Sequence, residues 1–310
     1  MPPRICIAIR SKFMKVIILP HDKAVAKYAY KLVMDRMSNG INAIGLPCGR
    51  APLKLYGEIA NGFKRGELDF SGVSIFNQTE FLCMSGNEQG SCRQFLEDHL
   101  FCYININPDN TYHLDGMTED HVAECRYYED DIDYVGGIKL QVVGLGPFGQ
   151  VAFNQPGGSL NSRTGFAALS KETLEDYKMF FPADTDYPLY GLSVGVGTIM
   201  DADECLIIAS GEGMADAVAA TVEGPVSAIC PASALQYHEN CTIVVDEAAA
   251  RKLRFAEFYK ATIDAEERAM DELSIVTERH AESSTVGRGA PQSPPARGSM
   301  PSPRPQRRIR

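Results

Sequence analysis

The run Cys205-Leu-Ile-Ile-Ala-Ser210 is apolar over nearly its whole length and lacks the alternating polar side chains of a half-exposed strand. Two other runs have the same character, at residues 139–144 and 241–246. Strands of this kind are buried on both faces, as in parallel sheets that helices cover on each side. These three runs therefore predict the centre of a parallel sheet.

Outward from these runs, short β-branched segments alternate with segments of helical periodicity. Further strands are predicted at residues 16–19, 41–46 and 72–76. Helices are predicted at residues 21–37, 53–64, 91–101, 215–222 and 248–272. Strands separated by helices indicate the α/β class. The expected architecture is a single doubly wound, mostly parallel sheet with helices on both faces.

The length of 310 residues allows one large domain or two small ones. We expect one folded domain at residues 14–272, preceded by an N-terminal extension at residues 1–13. Residues 281–310 contain six Arg and six Pro with few large apolar side chains. Chains of this composition bury too little apolar surface to fold. Residues 273–310 are therefore predicted to form a disordered basic tail.

Composition argues against several classes of protein. The formal net charge is −10, and the basic tail means that the rest of the chain is more acidic still, which disfavours nucleic acid as a partner. No run approaches the roughly 20 apolar residues that span a bilayer, so no membrane partner is expected. The nine cysteines include no C-x-x-C pair, which favours reduced thiols and a cytoplasmic location.

Loops beyond the carboxyl ends of the strands are where such sheets bind ligands, which nominates the loops after Leu46, Phe76 and Gly144. Backbone N–H groups of residues 47–52 could bind a phosphate at the next helix, although a plain strand–helix turn is the favoured interpretation. The run Gly144-Leu-Gly-Pro-Phe-Gly149 imitates a dinucleotide-binding motif but lacks the acidic partner, so dinucleotide binding is rejected. The histidines have no ligand-like spacing, and neither a metal nor a cofactor is predicted.

Seven segments, taken together, resemble one family. They are Gly45-Leu-Pro-Cys-Gly-Arg-Ala-Pro52, Phe76-Asn-Gln-Thr-Glu-Phe81, Gly144-Leu-Gly-Pro-Phe-Gly-Gln-Val-Ala-Phe-Asn-Gln-Pro156, Ser159-Leu-Asn-Ser-Arg-Thr164, Ser193-Val-Gly-Val-Gly-Thr198, Glu223-Gly-Pro-Val226 and Pro231-Ala-Ser-Ala-Leu-Gln-Tyr-His238. In this order and spacing, residues 14–253 resemble the glucosamine-6-phosphate deaminases/isomerases, relatives of the 6-phosphogluconolactonases. The resemblance implies the sheet predicted above, a role in amino-sugar phosphate metabolism, an activity grouped with the hydrolases, and assembly into homo-oligomers.

The catalytic positions implied by the resemblance are all substituted. The family motif G-x-D-G-H-x-x-F-N-E-P has Phe148 for the Asp, Gln150 for the ring-opening His and Gln155 for the Glu. The proton-abstracting Asp of F-N-x-D-E-Y is replaced by Thr79, while the neighbouring Glu80 is kept. General acid–base catalysis needs a titratable side chain of suitable pKa, which Thr, Phe and Gln do not offer. Glu80 is the residue that could rescue proton abstraction.

The phosphate-binding positions implied by the resemblance also differ. The family loop L-P-T-G-G-T-P reads Leu-Pro-Cys48-Gly49-Arg50-Ala51-Pro here, and a Lys and an Arg are replaced by Met214 and Met179. The Arg50 guanidinium could bind a phosphate with two parallel hydrogen bonds, or it could block the pocket. Cys48, Gly49 and Arg50 are therefore the predicted substrate-binding residues.

Three hypotheses about function stay open. The first is a diverged member of the family with little or no deaminase activity, retained for binding, assembly or regulation. The second is an active deaminase that isomerises its substrate and releases ammonia and fructose 6-phosphate with a rearranged set, Glu80 and Arg50. The third is a sensor that binds phosphosugars without turnover. The expected small-molecule partner is a phosphorylated amino sugar, and whether the chain is an enzyme is left open.

Overall fold

The structure is a computed structural model that describes residues 14–183, 187–266, 268 and 269. The predicted extension at residues 1–13 and tail at residues 273–310 lie outside the described residues, so these boundaries stay predictions. The chain divides into two units after Ile263. The described residues of the second unit are 264–266, 268 and 269, and they are helical. All elements named below belong to the first unit.

Ten strands are defined in the described part of the first unit. They are β1 (Lys15–Leu19), β2 (Ala43–Leu46), β3 (Ser74–Asn77), β4 (Thr79–Phe81), β5 (Thr111–Tyr112), β6 (Leu140–Gly144), β7 (Gly165–Ala168), β8 (Tyr190–Ser193), β9 (Cys205–Ala209) and β10 (Cys241–Asp246). The α-helices with defined bounds are α1 (Asp22–Ser38), α2 (Leu53–Lys64), α3 (Cys92–His99), α4 (His121–Tyr134), α5 (Lys171–Tyr177), α6 (Val196–Met200), α7 (Ala215–Val222) and α8 (Glu247–Ala250).

Seven of the strands form one sheet in the order β1-β10-β9-β6-β2-β3-β5. Every neighbouring pair in it is parallel, which confirms the predicted α/β class. After β2, the next strand of this sheet along the chain is β3, which lies on one side of the β2–β6 pair. After β6, the next strands of this sheet are β9 and β10, which lie on the other side. The strand order therefore reverses between β2 and β6, and a crevice is expected beyond the carboxyl ends of these two strands.

Side chains of the central strands alternate between two apolar layers, one on each face of the sheet. Val142, Leu206 and Val244 belong to one layer, which includes apolar residues of α1 and α2. The next residue along each strand belongs to the opposite layer, with apolar residues of α4, α6 and α7. This double burial is the physical reason for the apolar runs at residues 139–144, 205–210 and 241–246.

A second sheet, of three antiparallel strands in the order β4-β8-β7, was not predicted from the sequence. Its strands have three or four residues each, too few to produce a clear period-two pattern. Gln78 alone separates β3 from β4, so the chain passes from the parallel sheet to the small one at this residue. As a result, Thr79 begins a strand that leaves the main sheet.

The predicted helix at residues 248–272 is interrupted. The short helix α8 ends at Ala250, and the next helix begins at residue 256. The Glu223 carboxylate accepts hydrogen bonds from the backbone N–H groups of Arg254 and Phe255, both at 2.9 Å. These N–H groups lie at the start of the second helix and have no partner within it, so Glu223 stabilises the break.

His113 is expected to make stability depend on pH. Burial, assisted by the Arg93 charge, lowers the pKa of His113 to about 4, and its Nδ1 is buried without a hydrogen-bond partner among the described residues. The unfolded chain therefore binds the proton more tightly, so the contribution of neutral His113 to stability is present above pH 6.5 and is lost as pH falls towards about 4. At about 1.4 kcal/mol per pKa unit, the loss approaches roughly 3 kcal/mol.

The measurement is urea unfolding of the protein and of His113→Gln between pH 7 and pH 4. We expect the free energy of unfolding to fall more steeply in the unmodified protein, because the glutamine cannot take up a proton. Parallel pH profiles of the two proteins would show that His113 does not carry this dependence.

Candidate functional site

A cavity of about 600 Å³ lies at the carboxyl ends of β2, β6 and β9. Arg50 and Ala51 follow β2, while Gly144 ends β6 and Leu145, Gly146 and Pro147 follow it. These residues line the cavity together with residues of α1, α2 and α5. The cavity occupies the crevice where the strand order reverses, as the loops after Leu46 and Gly144 predicted. Among the described lining residues, none comes from the loop after Phe76.

Four charged residues line this cavity, namely Asp22, Arg50, Lys54 and Asp176. The Lys54 ammonium forms an ion pair with the Asp22 carboxylate. Desolvation raises the pKa of Asp176, and the nearby positive charge of Arg50 opposes that rise. Arg50 and Asp176 are therefore close enough to interact, and between them no ion pair forms.

Most of the remaining wall is apolar. The apolar lining residues are Val25, Ala26, Ala29, Ala51, Leu53, Leu55, Leu145, Pro147, Ala152, Ile208, Ala209 and Met214. Met214 thus places a thioether on the wall where the resemblance implies a lysine. Met179 is not among the lining residues, and 57% of its surface is exposed. Neither methionine can supply a positive charge to a phosphate.

Thr79 occupies the position that the resemblance gives to the proton-abstracting aspartate. It is 1% exposed at the start of β4. Its Oγ1 lies 3.1 Å from the Cys48 Sγ and 3.2 Å from the Cys92 Sγ, so the hydroxyl is enclosed by two thiols. Burial raises the pKa of Cys92 well above its usual range, so this thiol stays protonated. None of the three side chains is among the lining residues, so none of them offers a general base to the cavity.

Glu80 points to the N-terminus of α3 rather than to the cavity. Its carboxylate accepts hydrogen bonds from the backbone N–H groups of Phe81, Cys92 and Arg93 and from the Ser91 hydroxyl, at 2.9–3.0 Å. The side chain is fully buried. Burial raises the pKa of Glu80, although these hydrogen bonds oppose the rise. In this geometry Glu80 is a capping residue of α3.

The two glutamines hold the loop after β6 in place. The Phe148 N–H donates to Gln150 Oε1 at 2.8 Å, while the Phe148 side chain is 52% exposed. Gln155 exchanges hydrogen bonds with the Thr173 hydroxyl at 3.0 and 3.1 Å, which ties the loop to α5. Gln150 is buried and lines the cavity, but its amide cannot exchange a proton at neutral pH. These positions retain a structural function without titratable groups.

The three predicted substrate-binding residues are in different surroundings. Cys48 is buried, and its thiol contacts Thr79 and donates to the Tyr177 hydroxyl at 3.8 Å. Gly49 has a φ of +105°, which a side chain would strain, and a Cβ at this position would lie 3.4 Å from the same hydroxyl. Arg50 is exposed and lines the cavity. Of the three, Arg50 is the residue placed to bind a ligand.

Asp176 and Tyr177 were missed by sequence reasoning. Both belong to α5, a short helix that no motif marked, and both line the cavity. Burial raises the pKa of Tyr177 well above its usual range, so its hydroxyl stays neutral.

No group of three or more His, Cys, Asp or Glu side chains suited to a metal occurs among the described residues. No helix in the part of the chain that the structure describes is long and apolar enough to span a membrane.

Known proteins resemble this chain over most of its length. The sequence model of the family described as glucosamine-6-phosphate isomerases/6-phosphogluconolactonase matches residues 21–244. A glucosamine-6-phosphate deaminase of Shewanella loihica is 40% identical over 248 residues, which cover 80% of this chain and 92% of that protein. A deaminase of the same name from Cellvibrio japonicus is 39% identical over 261 residues, covering 84% and 99%.

Solved structures show the same fold. A monomeric glucosamine-6-phosphate deaminase superposes with a TM-score of 0.75 at 29% identity, covering 77% of this chain and 100% of that one. The 6-phosphogluconolactonase of Trypanosoma cruzi gives a TM-score of 0.63 at 16% identity, covering 79% and 99%. The second likeness concerns the fold alone.

Proposed function

The chain belongs to the family of glucosamine-6-phosphate isomerases and 6-phosphogluconolactonases, and from this premise we propose that it binds a small ligand in the family's cavity without deaminase turnover. The observation that carries the proposal is the enclosure of Thr79 Oγ1 between the thiols of Cys48 and Cys92. The resemblance implies that a deaminase of this family needs the carboxylate of an aspartate here, and a hydroxyl between two thiols stands in its place.

The other relay positions support the same conclusion. The Gln150 side chain accepts a hydrogen bond from the Phe148 N–H, and the Gln155 side chain donates one to the Thr173 hydroxyl of α5. Both amides thus hold the loop after β6 in place. Glu80, the candidate for a rearranged relay, accepts four hydrogen bonds around the start of α3. Using it as a base would leave those donors without a partner. Of Glu80 and the four residues at the family's catalytic positions, none therefore supports the active-deaminase hypothesis as a base in the cavity.

The cavity itself supports a binding function over a role in assembly alone. Its volume of about 600 Å³ is within the range of small-molecule sites, and Arg50 lies on its wall. This arrangement favours a sensor or regulatory protein whose ligand is a small charged molecule, with a phosphorylated amino sugar as the first candidate.

We also propose a cytoplasmic location, because the eight cysteines of the described residues are all free.

The test is a calorimetric titration with glucosamine 6-phosphate, followed by an ammonia assay on the same sample. We expect saturable binding and no ammonia above the buffer control. Binding accompanied by ammonia release would support the active-deaminase hypothesis instead. No binding at millimolar glucosamine 6-phosphate would refute a phosphorylated amino sugar as the ligand and favour a role in assembly.

A further inference from the structure

Two cysteine thiols lie next to a single hydroxyl, that of Thr79. The Cys48 Sγ is 3.1 Å from the Thr79 Oγ1, and the Cys92 Sγ is 3.2 Å from the same oxygen atom. The two sulfur atoms are therefore no further apart than these two distances together. Cys48 belongs to the loop after β2, and Cys92 is the first residue of α3. The pair thus brings together two separate parts of the fold.

A second pair of thiols shows what is particular to the first. Cys205 and Cys241 are opposite each other on β9 and β10, and both are buried. The Cys205 thiol donates to the Ile199 carbonyl at 3.5 Å, and no hydroxyl of the described residues forms hydrogen bonds with both sulfur atoms. Of these two pairs, only the first includes a group that can both donate and accept a proton between its thiols.

Cys48 is the thiol of the first pair that contacts the cavity wall. Its Sγ lies 3.8 Å from the hydroxyl of Tyr177, which lines the cavity, and 7% of its surface is exposed against 1% for Cys92. The Tyr177 side chain thus separates Cys48 from the cavity. A route past one side chain suits an oxidant of nearly the size of water, such as hydrogen peroxide, rather than a bulky disulfide.

We propose that hydrogen peroxide converts Cys48 and Cys92 into a disulfide, with Thr79 relaying a proton between them. The Cys48 thiolate attacks one peroxide oxygen, the O–O bond breaks, and the departing hydroxide leaves as water with the proton that Cys48 has lost. Cys92 then attacks the sulfur of the Cys48 sulfenic acid, so that the S–S bond forms as the S–O bond breaks. Two thiols and one peroxide give one disulfide and two waters.

The relay meets a constraint of this site. Burial keeps Cys92 protonated, and its attack requires the loss of that proton. Because the Thr79 hydroxyl contacts both sulfur atoms, it can accept the proton of Cys92 while it donates its own to the hydroxide that leaves Cys48. The same burial slows the reaction, to the order of hours rather than seconds.

The experiment is a peroxide time course on the full-length protein at slightly alkaline pH, followed by alkylation of the remaining thiols in denaturant, proteolysis and mass spectrometry. We expect a pair of peptides joined through Cys48 and Cys92 that disappears after treatment with dithiothreitol. Cys205 and Cys241 should remain alkylated, which would show that the folded protein was oxidised. The exposed Cys83 reports whether the peroxide was effective.

Variants separate the steps. Cys92→Ser is expected to stop at the Cys48 sulfenic acid, which dimedone labels, whereas Cys48→Ser should leave Cys92 unoxidised. Thr79→Ala removes the relay, so the disulfide should form at least about tenfold more slowly while labelled Cys48 accumulates. Thr79→Ser keeps the hydroxyl and is expected to react at the rate of the unmodified protein. Circular dichroism of each variant confirms folding before oxidation.

The inference would be overturned if Cys83 were fully oxidised while Cys48 and Cys92 remained alkylated. It would also be overturned if the disulfide formed only together with links through Cys205 and Cys241, because this pattern indicates oxidation of unfolded protein. Equal rates in the unmodified protein and in Thr79→Ala would refute the relay. The thiols lie outside the cavity lining and none of these measurements involves a ligand, so failure of the proposed function would leave the inference standing.

Discussion

Replacing Thr79 with aspartate is expected to lower the free energy of unfolding by about 3 kcal/mol or more at pH 7, and not to start catalysis. The side chain is 1% exposed, and Asp and Thr are similar in volume, so the main change is a buried negative charge. The neighbours that could solvate it are the thiols of Cys48 and Cys92, which are weak hydrogen-bond donors. These surroundings therefore favour a neutral hydroxyl over a carboxylate at residue 79.

Urea unfolding of three variants tests this prediction. Thr79→Ser keeps the hydroxyl and is expected to stay within about 1 kcal/mol of the unmodified protein, whereas Thr79→Asn matches the shape of aspartate without its charge. The difference between Asp and Asn isolates the charge, and it should shrink at low pH as the aspartate takes up a proton. Equal stabilities of these two variants at pH 7 would show that the site solvates a carboxylate after all.

Glu80→Ala is expected to cost about 3–5 kcal/mol of stability, the range for leaving several buried donors without a partner. The substitution removes the acceptor of the Phe81, Cys92 and Arg93 N–H groups and of the Ser91 hydroxyl. Two of these groups, the N–H groups of Cys92 and Arg93, begin α3 and lose their acceptor, whereas the N-cap Ser91 still accepts from the Gln94 N–H. The loss is expected to lower the urea midpoint with little change in slope.

Glu97→Ala is the matched control, because Glu97 lies on the same helix and is exposed. It should change stability by no more than about 0.5 kcal/mol. If Glu80→Ala were as stable as Glu97→Ala, the carboxylate would be dispensable for capping, and its availability as a base would have to be reconsidered.

The large sheet could be predicted from the sequence because burial on both faces favours apolar side chains at most positions of its central strands. Residues 139–144, 205–210 and 241–246 therefore stand out without any other information. The small sheet could not be predicted, because strands such as Gly165–Ala168 are only partly buried and have four residues. The pairing partners of such short strands are decided by tertiary packing rather than by their own sequence.

The site was only partly visible in the sequence. Loops at the carboxyl ends of β2 and β6 followed from the topology of the sheet, and Arg50 stood out as a charge in a small-residue loop. The direction of the Glu80 side chain could not be predicted, since it depends on where α3 begins relative to β4. Asp176 was missed for a similar reason, because an acidic residue in a short helix is ordinary until the fold places it beside Arg50.

Proton exchange at C2 of glucosamine 6-phosphate in D₂O tests the central claim most directly, since the resemblance implies that the aspartate replaced here by Thr79 abstracts the C2 proton. The Shewanella loihica glucosamine-6-phosphate deaminase serves as the positive control under identical conditions. Loss of acid–base groups costs about 10²–10⁴-fold each, though not additively, so the account predicts exchange at least about 10⁴-fold slower than in the control. Exchange within about tenfold of that deaminase would contradict the account and show that a proton relay operates in this chain.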